Sequence, residues 1–227
     1  MSKAPTLLIF CKQPRIGQGK QRIAASLGAE TTFEIAKALL QCALEDAKAW
    51  SGRVVLSPAS VDEIEWAKGL LDGERVQVVP QPSGNLGERI NAVDQLLRQQ
   101  GHQKIVTIGT DAPILTLDLL QQVCNKMADY DVVCSKADDG GVTVMASGVA
   151  WPNIEGLPWS TERLAQGLEE CCLDAGQSVG YIEPTYDIDL EGDLMRLMED
   201  LKSDPRTARQ ALLQLITPIV NNKMVTS

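Results

Sequence analysis

Two kinds of hydrophobic segment alternate along the chain. The first is a short apolar run followed by turn residues, which is typical of a buried strand. The second is longer and repeats its apolar residues with helical spacing. Segments of the first kind predict seven strands, at Pro5–Cys11, Arg53–Leu56, Arg75–Val79, Lys104–Ile108, Asp131–Ser135, Val142–Ala146 and Ser178–Glu183.

Helices are predicted between these strands. Thr116 is a suitable N-cap, and Asp118 lies in the following first turn, where the helix dipole favours an acid. Gly101 stands where a helix C-terminus favours glycine, and Pro205 stands at the start of the last helix. The predicted helices are Glu30–Trp50, Val61–Leu71, Gly87–Gln100, Leu117–Ala128, Thr161–Ala175, Glu191–Leu201 and Pro205–Ile216.

This alternation predicts an α/β fold with a mostly parallel sheet covered by helices on both faces. Ligands of such sheets bind beyond the carboxyl ends of the strands. The 227 residues contain no repeat and no convincing linker. We therefore expect a single domain over residues 1–218, followed by a flexible tail at 219–227.

Composition and charge narrow the classes of function. No apolar run approaches the roughly 20 residues that cross a bilayer, and no secretion signal is recognisable, so we expect a cytoplasmic protein. The net charge of −9 argues against a general nucleic-acid-binding surface. Residues 1–29 nevertheless carry five cations and no acid, so residues 30–227 carry −14. A local cationic cluster on an acidic protein suggests a small anionic ligand.

Several familiar sites are missing. The six cysteines have no C-x-x-C spacing and no neighbouring histidine, which disfavours a zinc site and predicts reduced, mostly buried thiols. His102 is the one histidine and is predicted to be solvated, which argues against Ser-His-Asp and Cys-His catalysis. Neither the G-x-x-x-x-G-K-[ST] loop nor the dinucleotide-binding glycine fingerprint follows the first strand.

The loop after the first strand is the leading candidate for phosphate binding. Glycine allows the backbone to approach phosphate oxygens, and consecutive amides form an anion-binding nest. Lysine and arginine neutralise the phosphate charge. The alternative is a solvated basic loop. The candidate binding residues here are Lys12, Arg15, Gly17, Lys20 and Arg22.

Three aspartates are candidates for a divalent metal. Asp111 follows a predicted strand, and Mg²⁺ takes one or two protein carboxylates together with substrate oxygens. Asp187 and Asp189 point the same way if their segment is extended, and two close carboxylates favour a cation between them. The alternatives are an ordinary turn at Asp111 and N-capping of the next helix by Asp189.

Two further motifs could contact a nucleotide. Asp139 and Gly140 form part of an Asp-Asp-Gly-Gly run, which could equally be a plain hairpin turn. Asn85, Gly87 and Arg89 could present a helix N-terminus and a cation to the nucleotide. A helix cap with surface charge is the alternative.

Together these residues resemble the bacterial DUF2064 family, also described as glycosyltransferase-A-like or CofC-like proteins, over residues of about 6–200. The chain departs from the family pattern at Gln21, where threonine is usual, and at Val142, where an aromatic residue is usual. The matching motifs are Phe10–Pro14 with Gly17, Lys20 and Arg22, Asn85–Arg89, Gly109–Pro113, Asp139–Gly141, Pro158–Thr161, Asp187–Asp189 and Asp193–Leu194.

The resemblance implies a three-layer αβα sandwich with a mostly parallel but mixed central sheet, of the nucleotide-diphospho-sugar transferase (GT-A-like) type. It also implies a metal-dependent transferase that uses Mg²⁺ or Mn²⁺ and a nucleoside triphosphate or nucleotide-sugar. Our favoured hypothesis is nucleotidyl transfer to a small phosphorylated or hydroxylated acceptor, with Lys20, Asp111 and Asp189 as the catalytic residues. Sugar transfer is the first alternative and a non-catalytic nucleotide-binding module is the second. A homodimer is compatible with each of them.

Overall fold

The computed structural model describes the backbone of residues 4–226 and the side chains of residues 4–222. The chain forms two compact units, each built from separate stretches of sequence. The first unit comprises residues up to Gln13, Asp46–Gly109 and Leu115–Tyr186. The second unit comprises Pro14–Glu45, Thr110–Ile114 and the residues from Asp187 onward. Whether residues 1–218 act as a single domain stays a prediction.

The first unit contains a seven-stranded sheet in the order β3-β2-β1-β4-β6-β5-β7. Strand β6 runs antiparallel to its neighbours β4 and β5, whereas the other four neighbouring pairs are parallel. The α/β class and the mostly parallel, mixed sheet are therefore confirmed. The strands are β1 (Thr6–Cys11), β2 (Val54–Pro58), β3 (Val76–Val78), β4 (Ile105–Ile108), β5 (Val132–Lys136), β6 (Val142–Ser147) and β7 (Val179–Tyr181).

Strand β1 lies in the interior of the sheet, between β2 and β4, and is buried on both faces. Its residues Leu7, Leu8 and Ile9 are each at most 1% exposed. A continuous apolar run of this kind, without polar alternation, is characteristic of a central parallel strand. Strands β1 and β4 are parallel neighbours, so the chain leaves both at the same edge of the sheet.

The helices follow the predicted pattern with one addition, the short helix Gln21–Leu27 inside the stretch interpreted as loop. Thr116 caps its helix by accepting a hydrogen bond from the Leu119 amide at 3.1 Å, as predicted. Short 3₁₀ turns lie at Val61–Glu63 and Leu201–Ser203. The helices are α1 (Gln21–Leu27), α2 (Ala29–Ala49), α3 (Ile64–Lys68), α4 (Leu86–Gln99), α5 (Leu117–Lys126), α6 (Leu164–Asp174), α7 (Glu191–Asp200) and α8 (Thr207–Thr226).

Helix α8 is longer than predicted. It continues through Pro218 to Thr226, so the predicted helix end at Ile216 is wrong. The stretch 219–227, predicted as a flexible tail, is helical as far as Thr226, and Ser227 lies outside the described residues. Pro218 has no backbone N–H to donate, yet the helix continues past it. None of the helices in the described part of the chain has the length and apolar character needed to cross a membrane.

The six thiols agree with the prediction of reduced, mostly buried cysteines. None of the six forms a disulfide, and Cys11, Cys42, Cys134 and Cys172 are buried. Burial raises the pKa of both Cys11 and Cys172 to about 12. These two thiols are therefore neutral at physiological pH, which makes them poor nucleophiles.

His102 is buried rather than solvated, which corrects the prediction. It follows the end of α4, where Gly101 turns the chain at φ +87°, and the His102 amide donates to the Leu97 carbonyl at 3.1 Å. Only 5% of the residue is exposed. Its Nδ1 lies 2.7 Å from the Thr6 hydroxyl oxygen in β1. The turn that ends α4 therefore directs the imidazole inward, which local polarity did not reveal.

Acidification is expected to destabilise the protein through His102. Burial, and then the positive charge of Arg53, lower the pKa of this imidazole below its ordinary value of 6.5. The unfolded chain therefore binds a proton at higher pH than the folded chain, and stability is lost as the pH falls through the ordinary histidine range. Between about pH 7.5 and about pH 5.5, urea denaturation should show a larger loss of stability in the wild type than in His102→Gln. Equal losses in the two proteins would contradict the expectation.

Candidate functional site

Four charged side chains of the second unit form a cluster. They come from the basic segment after β1 and from the two predicted motifs that contain Asp111 and Asp189. The Lys20 Nζ lies 3.2 Å from Asp111 Oδ2 and 3.7 Å from Asp189 Oδ1. Arg22 Nη1 lies 3.7 Å from Asp189 Oδ2. We call Lys20, Arg22, Asp111 and Asp189 the Lys20 cluster. It brings together residues that are far apart in sequence, as a ligand site in this kind of fold requires.

The side chains of the Lys20 cluster differ in exposure. The Lys20 side chain is 9% exposed, whereas those of Asp111 and Asp189 are 46% and 44% exposed. Arg22 extends further into solvent, with 68% of its side chain exposed. A ligand can therefore reach both carboxylates and Arg22 without opening a hydrophobic core.

The basic loop is shaped by residues in the left-handed backbone region. The Gln18 amide donates to the Arg15 carbonyl at 3.1 Å across a tight turn, and Gly17 at its third position has φ +75°. This is the geometry for which a type II turn needs glycine. Gly19 and Lys20 follow with φ +76° and +46°. A lysine in this region is uncommon, and such strain is concentrated at functional sites.

Contacts within the second unit hold the Asp111 loop in place. The Ile188 amide donates to the Asp111 carbonyl at 2.9 Å. Arg209, on α8, is fully buried and donates from Nε to the Pro113 carbonyl at 3.0 Å. Its Nη1 lies 3.1 Å from Glu45 Oε2. The two ends of the Asp111–Pro113 segment are thus held from different parts of the chain.

Arg209 is a residue that the sequence interpretation missed. Its signal is a cation on the apolar face of a helix, because Leu212 and Ile216, three and seven residues later, are also fully buried. A buried charge must be paired and hydrogen-bonded, so this placement marks Arg209 as a structural anchor for the loop that carries Asp111.

The segment Asp187–Asp189 has the predicted extended alternation, in which the two aspartates point the same way and the residue between them points the other way. Ile188 is fully buried between Asp187 and Asp189, which are partly exposed. The suggested N-cap role for Asp189 is wrong. Leu190 occupies the N-cap position of α7, and Asp193, in the first turn, accepts hydrogen bonds at Oδ2 from the Asp189 and Leu190 amides at 2.8 and 2.6 Å. The Asp189 carboxylate instead faces Lys20 and Arg22.

Two carboxylates of the Lys20 cluster have the donor chemistry that a hard divalent cation prefers. Asp111 and Asp189 converge on one positive centre, and Mg²⁺ in nucleotide sites typically takes one or two carboxylates plus phosphate oxygens. Among the described residues, no group of three or more His, Cys, Asp or Glu side chains is placed to hold a metal ion. Metal binding by Asp111, Asp187 and Asp189 stays a prediction, and the Asp111–Asp189 pair has the right donor chemistry for it.

Two cations of the basic segment lie outside the Lys20 cluster as it is defined above. Lys12 belongs to the first unit and is exposed, and Arg15 belongs to the second unit and is exposed.

The Gln13 amide, next to Lys12, donates a hydrogen bond to Glu63, a buried carboxylate of the first unit whose Oε2 accepts it at 3.1 Å. The same oxygen accepts the Ala59 amide at 3.3 Å. Glu63, another residue missed in the sequence, thus links the loops that follow β1 and β2.

The Asn85–Arg89 motif has a clear structural role in the first unit. The Glu88 amide donates to Asn85 Oδ1 at 3.0 Å, and Glu88 Oε2 accepts from the Asn85 amide, which forms a capping box at the start of α4. A Cβ on Gly87 would lie 2.4 Å from the Ile154 carbonyl oxygen and 2.5 Å from Trp159 Nε1. Arg89 donates from Nε to the Gly84 carbonyl at 2.7 Å. Nucleotide binding by Asn85, Gly87 and Arg89 stays a prediction.

Asp139 and Gly140 form the turn between β5 and β6, which was the alternative interpretation. Asp139 Oδ1 accepts the Gly141 amide at 2.9 Å. Gly140 has φ +85°, and a Cβ there would lie 1.9 Å from the Glu162 carbonyl oxygen. The glycine is therefore required by backbone geometry and close packing. A ligand contact at Asp139 or Gly140 stays a prediction.

An open cavity of the first unit lies at the amino ends of β1 and β4, and its lining includes Arg53, Arg75 and Lys104. Arg75 Nη2 donates to the Lys48 carbonyl at 2.7 Å, and Lys104 Nζ donates to the Met127 carbonyl at 2.8 Å. Carbonyls at helix ends attract cations, which explains two of these charges structurally. Nucleotides bind such sheets at the carboxyl edge instead, so this cavity is not the favoured nucleotide site.

Comparison with solved structures identifies the fold. A protein from Desulfovibrio desulfuricans G20, described as a candidate nucleotide-diphospho-sugar transferase, matches with a TM-score of 0.87 at 22% identity and covers 97% of this chain and 98% of its own. A cytidylyltransferase from Leptospira borgpetersenii matches with a TM-score of 0.57 at 13% identity, over 97% of this chain and 96% of its own. CMP:2-keto-3-deoxy-manno-octonic acid synthetase complexed with CTP matches with a TM-score of 0.53 at 14% identity, over 86% and 97%.

The fold is therefore that of the nucleotide-diphospho-sugar transferases, as the resemblance implied. No curated protein matches the chain. The family model described as "Uncharacterized protein conserved in bacteria (DUF2064)" matches residues 39–161, which is more than half of the sequence. The chain belongs to the DUF2064 family.

Proposed function

We propose that the protein transfers a nucleotidyl group from a nucleoside triphosphate to a small phosphorylated or hydroxylated acceptor. The observation that carries the proposal is that the Lys20 Nζ lies within 4 Å of a carboxylate oxygen of both Asp111 and Asp189. These residues come from three separate chain segments, and the fold is one whose solved examples include cytidylyltransferases. A cation flanked by two accessible carboxylates suits a metal-chelated phosphate chain better than it suits a neutral ligand.

The cations of the basic loop bind the phosphates in this proposal. Arg22 is the most exposed member of the Lys20 cluster and can make bidentate contacts with phosphate oxygens. Lys20 contributes a compact point charge. Lys12 and Arg15 are both exposed and add positive charge before the cluster in the sequence. Rate acceleration then comes mainly from holding the reactants and neutralising charge.

Asp111 and Asp189 would hold Mg²⁺ or Mn²⁺. When bound, the metal would withdraw charge from the phosphate oxygens and so favour departure of pyrophosphate. The backbone anchors of the Asp111 loop, Ile188 and Arg209, keep one carboxylate in place for this role. The Asp193 carboxylate accepts the Asp189 amide, which fixes the backbone there and so positions the other carboxylate.

The proposed reaction forms one bond and breaks one bond at the same phosphorus. An acceptor oxygen bonds to the α-phosphorus, and the bond from that phosphorus to its bridging oxygen breaks. The bridging oxygen leaves with pyrophosphate, and a hydroxyl acceptor releases its proton to water. Sugar transfer is the competing function, because the Desulfovibrio protein is described as a candidate nucleotide-diphospho-sugar transferase. That reaction would release a nucleoside diphosphate instead.

A ligand screen with two product assays tests the proposal. The full chain is heated with each nucleoside triphosphate and with a panel of nucleotide-sugars, each with and without Mg²⁺. A ligand that binds only the folded state stabilises it and so raises the melting temperature. At a ligand concentration a hundred times the dissociation constant, the free energy of unfolding rises by about 2.7 kcal/mol. We expect a triphosphate with Mg²⁺ to give the largest shift and to release pyrophosphate with a suitable acceptor. Stabilisation by nucleotide-sugars alone, with release of nucleoside diphosphate, would overturn nucleotidyl transfer.

A further inference from the structure

The position between Asp111 and Asp189 is filled by a cation that belongs to the protein itself. Lys20 Nζ contacts both carboxylates and also donates a hydrogen bond to the Ile188 carbonyl. The Lys20 side chain is the most buried of the three, at 9% exposure. Its single positive charge thereby offsets part of the repulsion between the two carboxylates in the absence of any ligand.

The same two carboxylates are those that would hold the metal in the proposed function. An ammonium and a divalent cation that share these oxygens compete for their lone pairs and repel each other. Lys20 therefore has to leave its contacts, at least in part, before both carboxylates can bind a metal. A metal site that is already occupied by lysine has low metal affinity.

We propose that Lys20 blocks the metal position until a phosphate group draws its ammonium away. This inference rests on the proposed function for the identity of the anion, a phosphate chain such as pyrophosphate. Binding of that anion gives the ammonium a new partner and exposes Asp111 and Asp189 to the metal. The binding order is thus anion before metal, or both together as a chelate.

The surroundings of Lys20 allow this exchange. Gly17 and Gly19 precede it, and no atom lies within 4 Å of the position that a Cβ would take on either residue. The loop is therefore loosely packed at these two glycines. Asp111 and Asp189 are each almost half exposed. Movement of the ammonium from one set of oxygens to another requires no opening of the hydrophobic core.

Mutual dependence of the two ligands follows by thermodynamic linkage. If the anion raises metal affinity by removing Lys20, the metal raises anion affinity by the same factor. Part of any coupling comes from chelation of the metal by the anion itself. That part is the same in every variant, so the difference between variants isolates the contribution of Lys20.

Titration with Mn²⁺ followed by electron paramagnetic resonance measures the competition directly, with the full chain and no nucleotide. We expect Lys20→Met to bind Mn²⁺ about tenfold more tightly than the wild type, or more. Lys37→Met is the matched control, because it removes one exposed lysine of the second unit that pairs with Glu34. It should leave Mn²⁺ affinity unchanged. Adding Asp111→Asn to Lys20→Met should abolish the gain.

Two further measurements control for misfolding of the variants and for chelation of the metal by the anion. Circular dichroism checks the fold, and Lys20→Gln repeats the test with a polar side chain if Lys20→Met is unstable. Inorganic pyrophosphate should raise Mn²⁺ affinity more in the wild type than in either variant. Equal or weaker Mn²⁺ binding by both Lys20 variants would overturn the proposal. Failure of the triphosphate screen would instead remove the proposed function, while a gain in Mn²⁺ affinity would still establish the blocked cation site.

Discussion

Replacing Asp111 with asparagine is expected to lower the rate of the proposed transfer by about 10²–10³-fold, the usual cost of losing one electrostatic contact in a transition state. Asparagine keeps the shape of the side chain but loses its charge, so the proposed metal site loses one of its two anionic ligands. Release of pyrophosphate, measured with the triphosphate and acceptor identified by the screen, is the readout. The loss should appear in kcat/KM and persist at saturating triphosphate.

Stability should hardly change in the same variant, which separates a chemical role from a structural one. The Asp111 side chain is 46% exposed, and Lys20 keeps its contacts with Asp189 and the Ile188 carbonyl, so we expect a loss of no more than about 1 kcal/mol. Asp118→Asn is a matched control, since it neutralises an exposed acid in the first turn of α5. It should retain the wild-type rate. An Asp111→Asn protein that keeps full activity would exclude Asp111 from the reaction.

Arg209→Met is expected to destabilise the protein by about 3–5 kcal/mol, because breaking a buried ion pair leaves an uncompensated partner. The guanidinium is fully buried and binds the Pro113 and Cys42 carbonyls and Glu45. Methionine fills similar volume but supplies no donor to these oxygens. Glu45 keeps its hydrogen bond from the Ala208 amide, which limits the loss. Urea denaturation of the two proteins measures the difference in the free energy of unfolding.

The control for Arg209→Met removes a cation that is not buried. Lys202 pairs with Glu199 at 2.6 Å, with both side chains more than half exposed, so Lys202→Met should cost under about 0.5 kcal/mol. Arg209→Lys keeps the charge but not the planar fork that reaches several acceptors, and it should fall between the other two variants. A loss below about 1 kcal/mol in Arg209→Met would show that the buried contacts do not anchor the Pro113 loop.

The strands were predictable because their signal is local. A short apolar run such as Leu7–Ile9 must be buried wherever the chain places it, and it is. The same holds for the Thr116 cap, where the hydroxyl and the amide that it binds are three residues apart. Helix α1 was missed for a related reason. Its seven residues are too few for a hydrophobic period to stand out beside the glycines and cations of the preceding loop.

The candidate site was predictable in residue type but not in arrangement. The basic loop and the acidic motifs were each recognisable, and the resemblance to DUF2064 indicated that they belong together. Which carboxylate would bind the backbone at the start of α7 could not be predicted, because both Asp189 and Asp193 lie in the right stretch of sequence. The hydrogen bonds to Asp193 decided it and left Asp189 for Lys20.

The sequence by itself determined the α/β class, the strands, the free thiols and the charged residues from which the site is built. Each of these follows from side-chain chemistry or from spacing over a few residues. Only the tertiary structure decided that Lys20 lies between Asp111 and Asp189, that Arg209 and His102 are buried, and that β6 pairs with β4. These outcomes depend on partners remote in sequence, with Lys20 and the Ile188 carbonyl separated by 168 positions. No local pattern specifies such a pairing, because it exists only once packing has brought the segments together.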